Sequence, residues 1–195
     1  MNPVRILGEA LRTAWRAIRT MAGAQNRTRS EIVGQLQAVC DRCDTAYATV
    51  LERLLPVKQS LGKLGDLASE LRAFAADGQT RSAFKPQHLC GEVDQLLQRL
   101  ASKLDMTVYS IDVQQIGGLR ECLRMMGNYD GALWDYYDQH TREMDKLALA
   151  IEQGPADKAK EAIRLATHLI DGLQEDVSQT LDRIRSLKDE IRDSM

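Results

Sequence analysis

Residues 156–192 read ADKAKEAIRLATHLIDGLQEDVSQTLDRIRSLKDEIR. Ile163, Ala166, Ile170, Leu173, Val177, Leu181, Ile184, Leu187 and Ile191 recur every three or four positions, the spacing of one helix face. Between them lie Asp182, Arg183, Arg185, Lys188, Asp189, Glu190 and Arg192, charges of both signs that suit the solvated flanks of a narrow apolar seam. The spacing predicts one helix over 155–193, of which 156–192 alone spans about 55 Å at 1.5 Å per residue. A rod that long with so narrow a seam cannot bury itself, so the rest of the chain must supply its neighbours.

The same spacing recurs upstream. From Ile32 through Leu36, Val39, Cys43, Ala46, Val50, Leu54, Val57, Leu61, Leu64, Ala68 and Leu71 to Ala75, every step is three or four residues. Thr28 with Glu31 forms a capping-box start, and Asp77-Gly78 gives a stop. This predicts a helix over 28–76, kinked near 52–56 because Pro56 removes a backbone hydrogen bond, with two abutting helices as the alternative. Residues 78–85 read as a loop. Pro86 then opens a shorter helix, 86–104, bearing Leu89, Val93, Leu96, Leu100 and Leu104. After a connector at 105–111, a third long helix is expected over 112–152. It should break or bend near Gly127 and Gly131 and end at Gly154-Pro155. The expected fold is all-α, an elongated antiparallel bundle with coiled-coil-like packing.

Composition agrees. The 195 residues are 44% hydrophobic and 28% charged, with 13 Gly, 4 Pro and a formal charge of −2, which excludes collagen-like and disordered chains. No apolar run approaches the length of a membrane span. The first 25 residues lack the apolar core of a secretory signal, and four dispersed cysteines fit free thiols in a reducing compartment, so a cytoplasmic protein is expected. Near-neutral charge argues against nucleic acid as a partner.

Charge is unevenly spread. Residues 1–30 carry six arginines against Glu9, a net +5 that leaves −7 for the remainder. Residues 1–25 form a basic amphipathic segment distinct from the bundle at 26–195, with a helix over 3–22 that starts at Asn2-Pro3. Val4, Leu7, Leu11, Trp15 and Ile18 share one stripe. Arg5, Arg12, Arg16 and Arg19 fall within roughly 60° of arc beside it. That arrangement suits a bundle helix with exposed arginines, a helix docked on an acidic partner, or one lying at a membrane surface.

A second unusual stretch gathers Tyr129, Trp134, Tyr136 and Tyr137 with Asp130, Asp135, Asp138 and His140. Tyr and Trp combine apolar area with a polar tip and are common interface anchors. The expectation is that the arginine-rich helix docks on this acidic aromatic patch, within the chain or across a dimer. The plainer reading makes Trp134 and Tyr137 core residues at a bend.

Catalytic signatures are few. Cys40-Asp-Arg-Cys43 matches CxxC, and His88 or Cys90 would have to complete a metal set with it. The pair lies mid-helix, where cysteine packs as a small apolar residue, and His88 and Cys90 project about 200° apart on a helix. No Glu-x-x-His pair, phosphate-cradling loop or nucleophile elbow is present. The expectation is a scaffold or adaptor that is not an enzyme and carries no cofactor. It would bind a protein partner or a second copy through Arg12, Trp15, Arg16 and Arg19 and through Tyr129, Trp134 and Tyr137. A membrane-surface protein anchored by residues 3–22 is the second reading, and a metal-binding bundle using Cys40, Cys43, His88 and Cys90 the third.

Overall fold

The structure is a computed structural model that describes residues 3–19, 26–84, 95 and 129–194. Among them are six helices and no strand: α1 (Pro3–Arg19), α2 (Asn26–Ser60), α3 (Leu64–Ala76), α4 (Gly78–Ala83), α5 (Tyr129–Gln153) and α6 (Ala156–Asp193). The chain is an all-α helical bundle. Apart from residue 95, which is helical, the expected helix at 86–104, the connector at 105–111 and the first part of the 112–152 helix lie outside the described residues, as do residues 20–22 of the expected 3–22 helix.

α6 is the axis. Its 38 residues span about 57 Å. Ala166, Ile170, Leu173, Val177, Leu181, Ile184, Leu187 and Ile191 are all buried, so the seam read from the sequence is the seam that packs. Burying each of its larger aliphatic side chains contributes about 1.5–3 kcal/mol. α2 runs antiparallel along one flank: Lys58 Nζ lies 3.6 Å from Asp171, and Lys188 Nζ 2.8 Å from Asp44. α5 folds back against the first half of α6 through the turn at Gly154-Pro155, and Tyr136 donates to Asp176 at 2.9 Å. At that turn a Cβ on Gly154 would run into the Ala150 carbonyl oxygen, so only glycine fits.

α1 covers the second half of α6 on the α5 side. Arg5 meets Asp176 and Arg183 meets Glu9, so these two helices run parallel, whereas α2 and α5 run antiparallel to α6. The cause is geometric: three mutually touching helices cannot all be antiparallel, and α2 already opposes α6. α1 and α5 thus lie end to end along one side of α6.

Three local expectations change. α2 starts at Asn26, which sets Thr28 inside its first turn. It continues past Pro56 to Ser60, and the interruption falls at 61–63, so the 28–76 run is two abutting helices, the alternative reading, divided after the proline. Four residues beyond that proline, 57–60, still complete a turn. There the Ser60 hydroxyl donates to the Val57 carbonyl at 2.7 Å, and Lys63 N to Ser60 O at 2.8 Å, which satisfies the terminal carbonyls without further helix. Residues 78–83, read as loop, form α4. Asp77 is extended (φ −67°, ψ 117°) and both ends α3 and caps α4. Its carboxylate accepts from Thr80 N at 2.7 Å and Thr80 Oγ1 at 2.8 Å.

Candidate interaction surface

α1 is helical for reasons of its own: Pro3 suits a first turn, no acid crowds the C-terminal end, and Arg16 and Arg19 lie in the last turn beside the exposed carbonyls. Its apolar stripe is fully used. Val4, Leu7, Leu11 and Ile18 are 0% exposed and Trp15 2%. Gly8 faces α6 with room for a methyl group, since a Cβ would sit at an ordinary 3.7 Å from the Arg183 and Thr180 side chains, and the Thr180 hydroxyl donates to the Val4 carbonyl at 3.2 Å. The Trp15 indole N–H meets no acceptor among the described residues, a cost of about 1–3 kcal/mol accepted for the ring's apolar burial.

The arginines divide sharply. Arg5, Arg53, Arg72, Arg142, Arg164, Arg183, Arg185 and Arg192 each reach a carboxylate, and Arg81 lies over the Trp134 ring at 5.3 Å. Arg42 is engaged as well. Arg12, Arg16 and Arg19 form no ion pair with another described residue. Arg12 is half-buried, Arg16 and Arg19 are exposed, and the three share one face at positions i, i+4 and i+7. Trp15, expected beside them as an anchor, does flank the row but turns into the core, where it is 2% exposed and closed to a partner.

The aromatic stretch is spent inside the fold. Tyr137 is 4% exposed and stacks on Phe84 (centroids 5.0 Å, planes 20° apart), with Trp134 tilted against it at 5.7 Å. Tyr47 meets Phe84 edge-on at 6.2 Å. Burial pushes the Tyr137 hydroxyl up to about 12, so it stays protonated. Half-buried Tyr136 hands its hydroxyl to Asp176, which also accepts Arg5 Nε at 3.0 Å. His140 stacks on Tyr136 at 4.1 Å, and its Nδ1–H donates to the Tyr136 carbonyl at 2.7 Å. Burial pulls the His140 pKa below 6.5, against that carbonyl and Asp176, which favour the charged form. Tyr129 opens α5. The link between the basic helix and this region is therefore Arg5–Asp176–Tyr136, and the cation on Trp134 comes from α4.

A cleft of about 560 Å³ between α2 and α6 is lined by Gln37, Asp41, Asp44, Arg185, Lys188, Asp189 and Arg192. Its cations answer its anions. Arg185 Nε lies 3.0 Å from Asp44, and Lys188 bridges Asp41 and Asp44 at 2.7 and 2.8 Å. Partial burial tends to raise the Asp44 pKa, but the bonds and charges of Lys188 and Arg185 outweigh it and hold the carboxyl below its ordinary value. Beneath the cleft, Cys40 and Cys43 are fully buried and form no disulfide. Burial, reinforced by Asp41, pushes the Cys40 thiol up to about 12, which leaves it protonated and a poor ligand or nucleophile. His88 and Cys90 lie outside the described residues, among which no group of three or more His, Cys, Asp and Glu could hold a metal ion. No described helix is long and apolar enough to cross a membrane.

Sequence reasoning missed Arg81, Phe84 and Asp176. Arg81 and Phe84 sat in a stretch read as loop, and Asp176 is one of many acids on a helix surface. A short Asp-x-x-Thr cap at Asp77 and Thr80 was the available signal for the first two. Against family models, curated proteins and solved structures the chain finds no match.

Proposed function

We propose that the protein is a non-enzymatic helical scaffold or adaptor that binds another protein, with α1 as the element it presents. One observation carries this reading: Arg12, Arg16 and Arg19 stand in a row and form no ion pair with another described residue, while the other arginines described side chain by side chain are engaged. Unmatched guanidinium groups repel one another and raise the free energy of the isolated fold, so an acidic partner gains from meeting them. Exposed pairs of this kind contribute about 0.2–1 kcal/mol each. Three of them fall short of the roughly 4 kcal/mol of a millimolar complex. The row therefore orients and selects a partner that other contacts help to hold.

The apolar stripe supports a protein partner over a bilayer. Amphipathic helices bind membranes by sinking that stripe among acyl chains, and here it is occupied by the bundle core. The test is affinity capture on immobilised full-length protein beside an Arg12→Gln/Arg16→Gln/Arg19→Gln variant. The expected result is a partner retained at low salt by the parent and lost by the variant. Identical capture by both overturns the reading, and sedimentation of the parent alone with anionic vesicles replaces it with the membrane one.

A further inference from the structure

Resting on the reading of α1 as the presented helix, we infer that the arginine row recognises a short acidic helix with carboxylates at i, i+4 and i+7. Arg12, Arg16 and Arg19 occupy two turns, rising about 6 and then 4.5 Å, so their charges span about 10.5 Å along α1. A second helix laid alongside in the same direction presents three carboxylates at the same rises when its acids follow the same spacing.

The surroundings limit the occupant's length. Glu9, paired with Arg183, closes the row on one side. The Arg5–Asp176 and Glu9–Arg183 pairs set the parallel register of α1 on α6, and the same rise carried forward brings Arg16 and Arg19 level with Glu190 and Asp193. An extended polyanion crossing the row meets those acids too. Duplex DNA carries one charge per about 1.7 Å of axis and cannot avoid them. A lipid surface has the same difficulty, whereas three carboxylates on one helix face touch only the arginines. The exposed positions of α1 are Glu9, Arg16 and Arg19, none of them apolar, so the contact is ionic and weakens with salt.

The experiment follows the arginine Nε–Hε signals of the full chain by NMR, assigned with single Arg→Gln variants. Two alanine-based helical peptides of one composition are titrated, with glutamates either at i, i+4, i+7 or spread around the helix at i, i+5, i+10. The inference expects saturable shifts of all three signals with the matched peptide, about threefold or more tighter than with the spread one. It expects the difference to fade between about 50 and 300 mM salt. Equal binding of the two peptides overturns it. So does an equal response to a short oligonucleotide or to phosphatidylserine vesicles at matched anion concentration, and so does the absence of any shift. Any of these alongside a partner captured through the row leaves the adaptor reading standing, while capture indifferent to the Arg→Gln changes removes both.

Discussion

α1 and α5 lie end to end on the same side of α6, and they spend their polar chemistry in opposite ways. On α5 the polar groups that look available are absorbed: Tyr137 is stacked between Phe84 and Trp134, Tyr136 is tied to Asp176, and Arg142 pairs with Asp138 at 2.7 Å. On α1 the hydrophobic side is absorbed and three of four arginines are left unmatched. Two stretches equally conspicuous in composition thus become packing in one case and surface in the other. Conspicuous residues mark a site only when the fold fails to consume them.

The strongest way to break this comparison is at Trp15. Trp15→Ala should lower stability by about 3–5 kcal/mol in urea unfolding followed by circular dichroism. Trp134→Ala, half-buried, should cost about 1–2 kcal/mol. Trp134 makes its ring contacts with Tyr137 and Arg81, so the double variant should be additive within about 0.5 kcal/mol. Coupling beyond that would join α1 to the aromatic cluster in one network.

Asp77→Ala should cost about 1 kcal/mol by removing the α4 cap, and Asp77→Asn much less. Loss of that cap also loosens the turn that delivers Phe84 to Tyr137. Smaller again is the Asp44–Lys188 pair across α2 and α6, whose double-mutant coupling should be below about 1 kcal/mol and shrink with salt. The Asp44 pKa is held below 3.8, so its contribution is full above that value and lost as pH falls toward the folded pKa.

The His140 effect has a definite sign. Its folded pKa lies below 6.5, so the unfolded chain takes up the proton first, and stability should fall as pH drops through 6.5 toward the folded value and then level off. His140→Leu should flatten that part of the stability profile in thermal melts between pH 7.5 and 5, relative to the parent. The least stability change belongs to the arginine row. Arg12→Gln, Arg16→Gln and Arg19→Gln should each stay within about 0.5 kcal/mol of the parent, because none carries an internal pair. A large loss would mean the row is structural and would erase the contrast between α1 and α5.

α6 was legible from end to end because its burial pattern is a property of its own spacing: whichever neighbours arrive, Ile170, Leu173 and Val177 must face them. α4 was not, since six residues are too few for periodicity to register and its existence rests on one side chain bonding to Thr80. Pro56 does not mark the boundary because one missing hydrogen bond does not end a helix, whereas the chain stops where the Ser60 hydroxyl takes up the Val57 carbonyl. At the candidate surface, spacing alone put Arg12, Arg16 and Arg19 on one face. It could not tell which charges would find partners, because pairs such as Arg183 with Glu9 join residues 174 positions apart.

That same separation bears on how the molecule is made. Ribosomes add roughly 5–20 residues per second, so the stretch holding Val4, Leu7 and Trp15 waits on the order of 10–30 s before the segment carrying Thr180 and Arg183 is synthesised. During that interval an oily, positively charged peptide lacks its α6 cover, and α2, the other early neighbour it packs on, is the first element able to shield it.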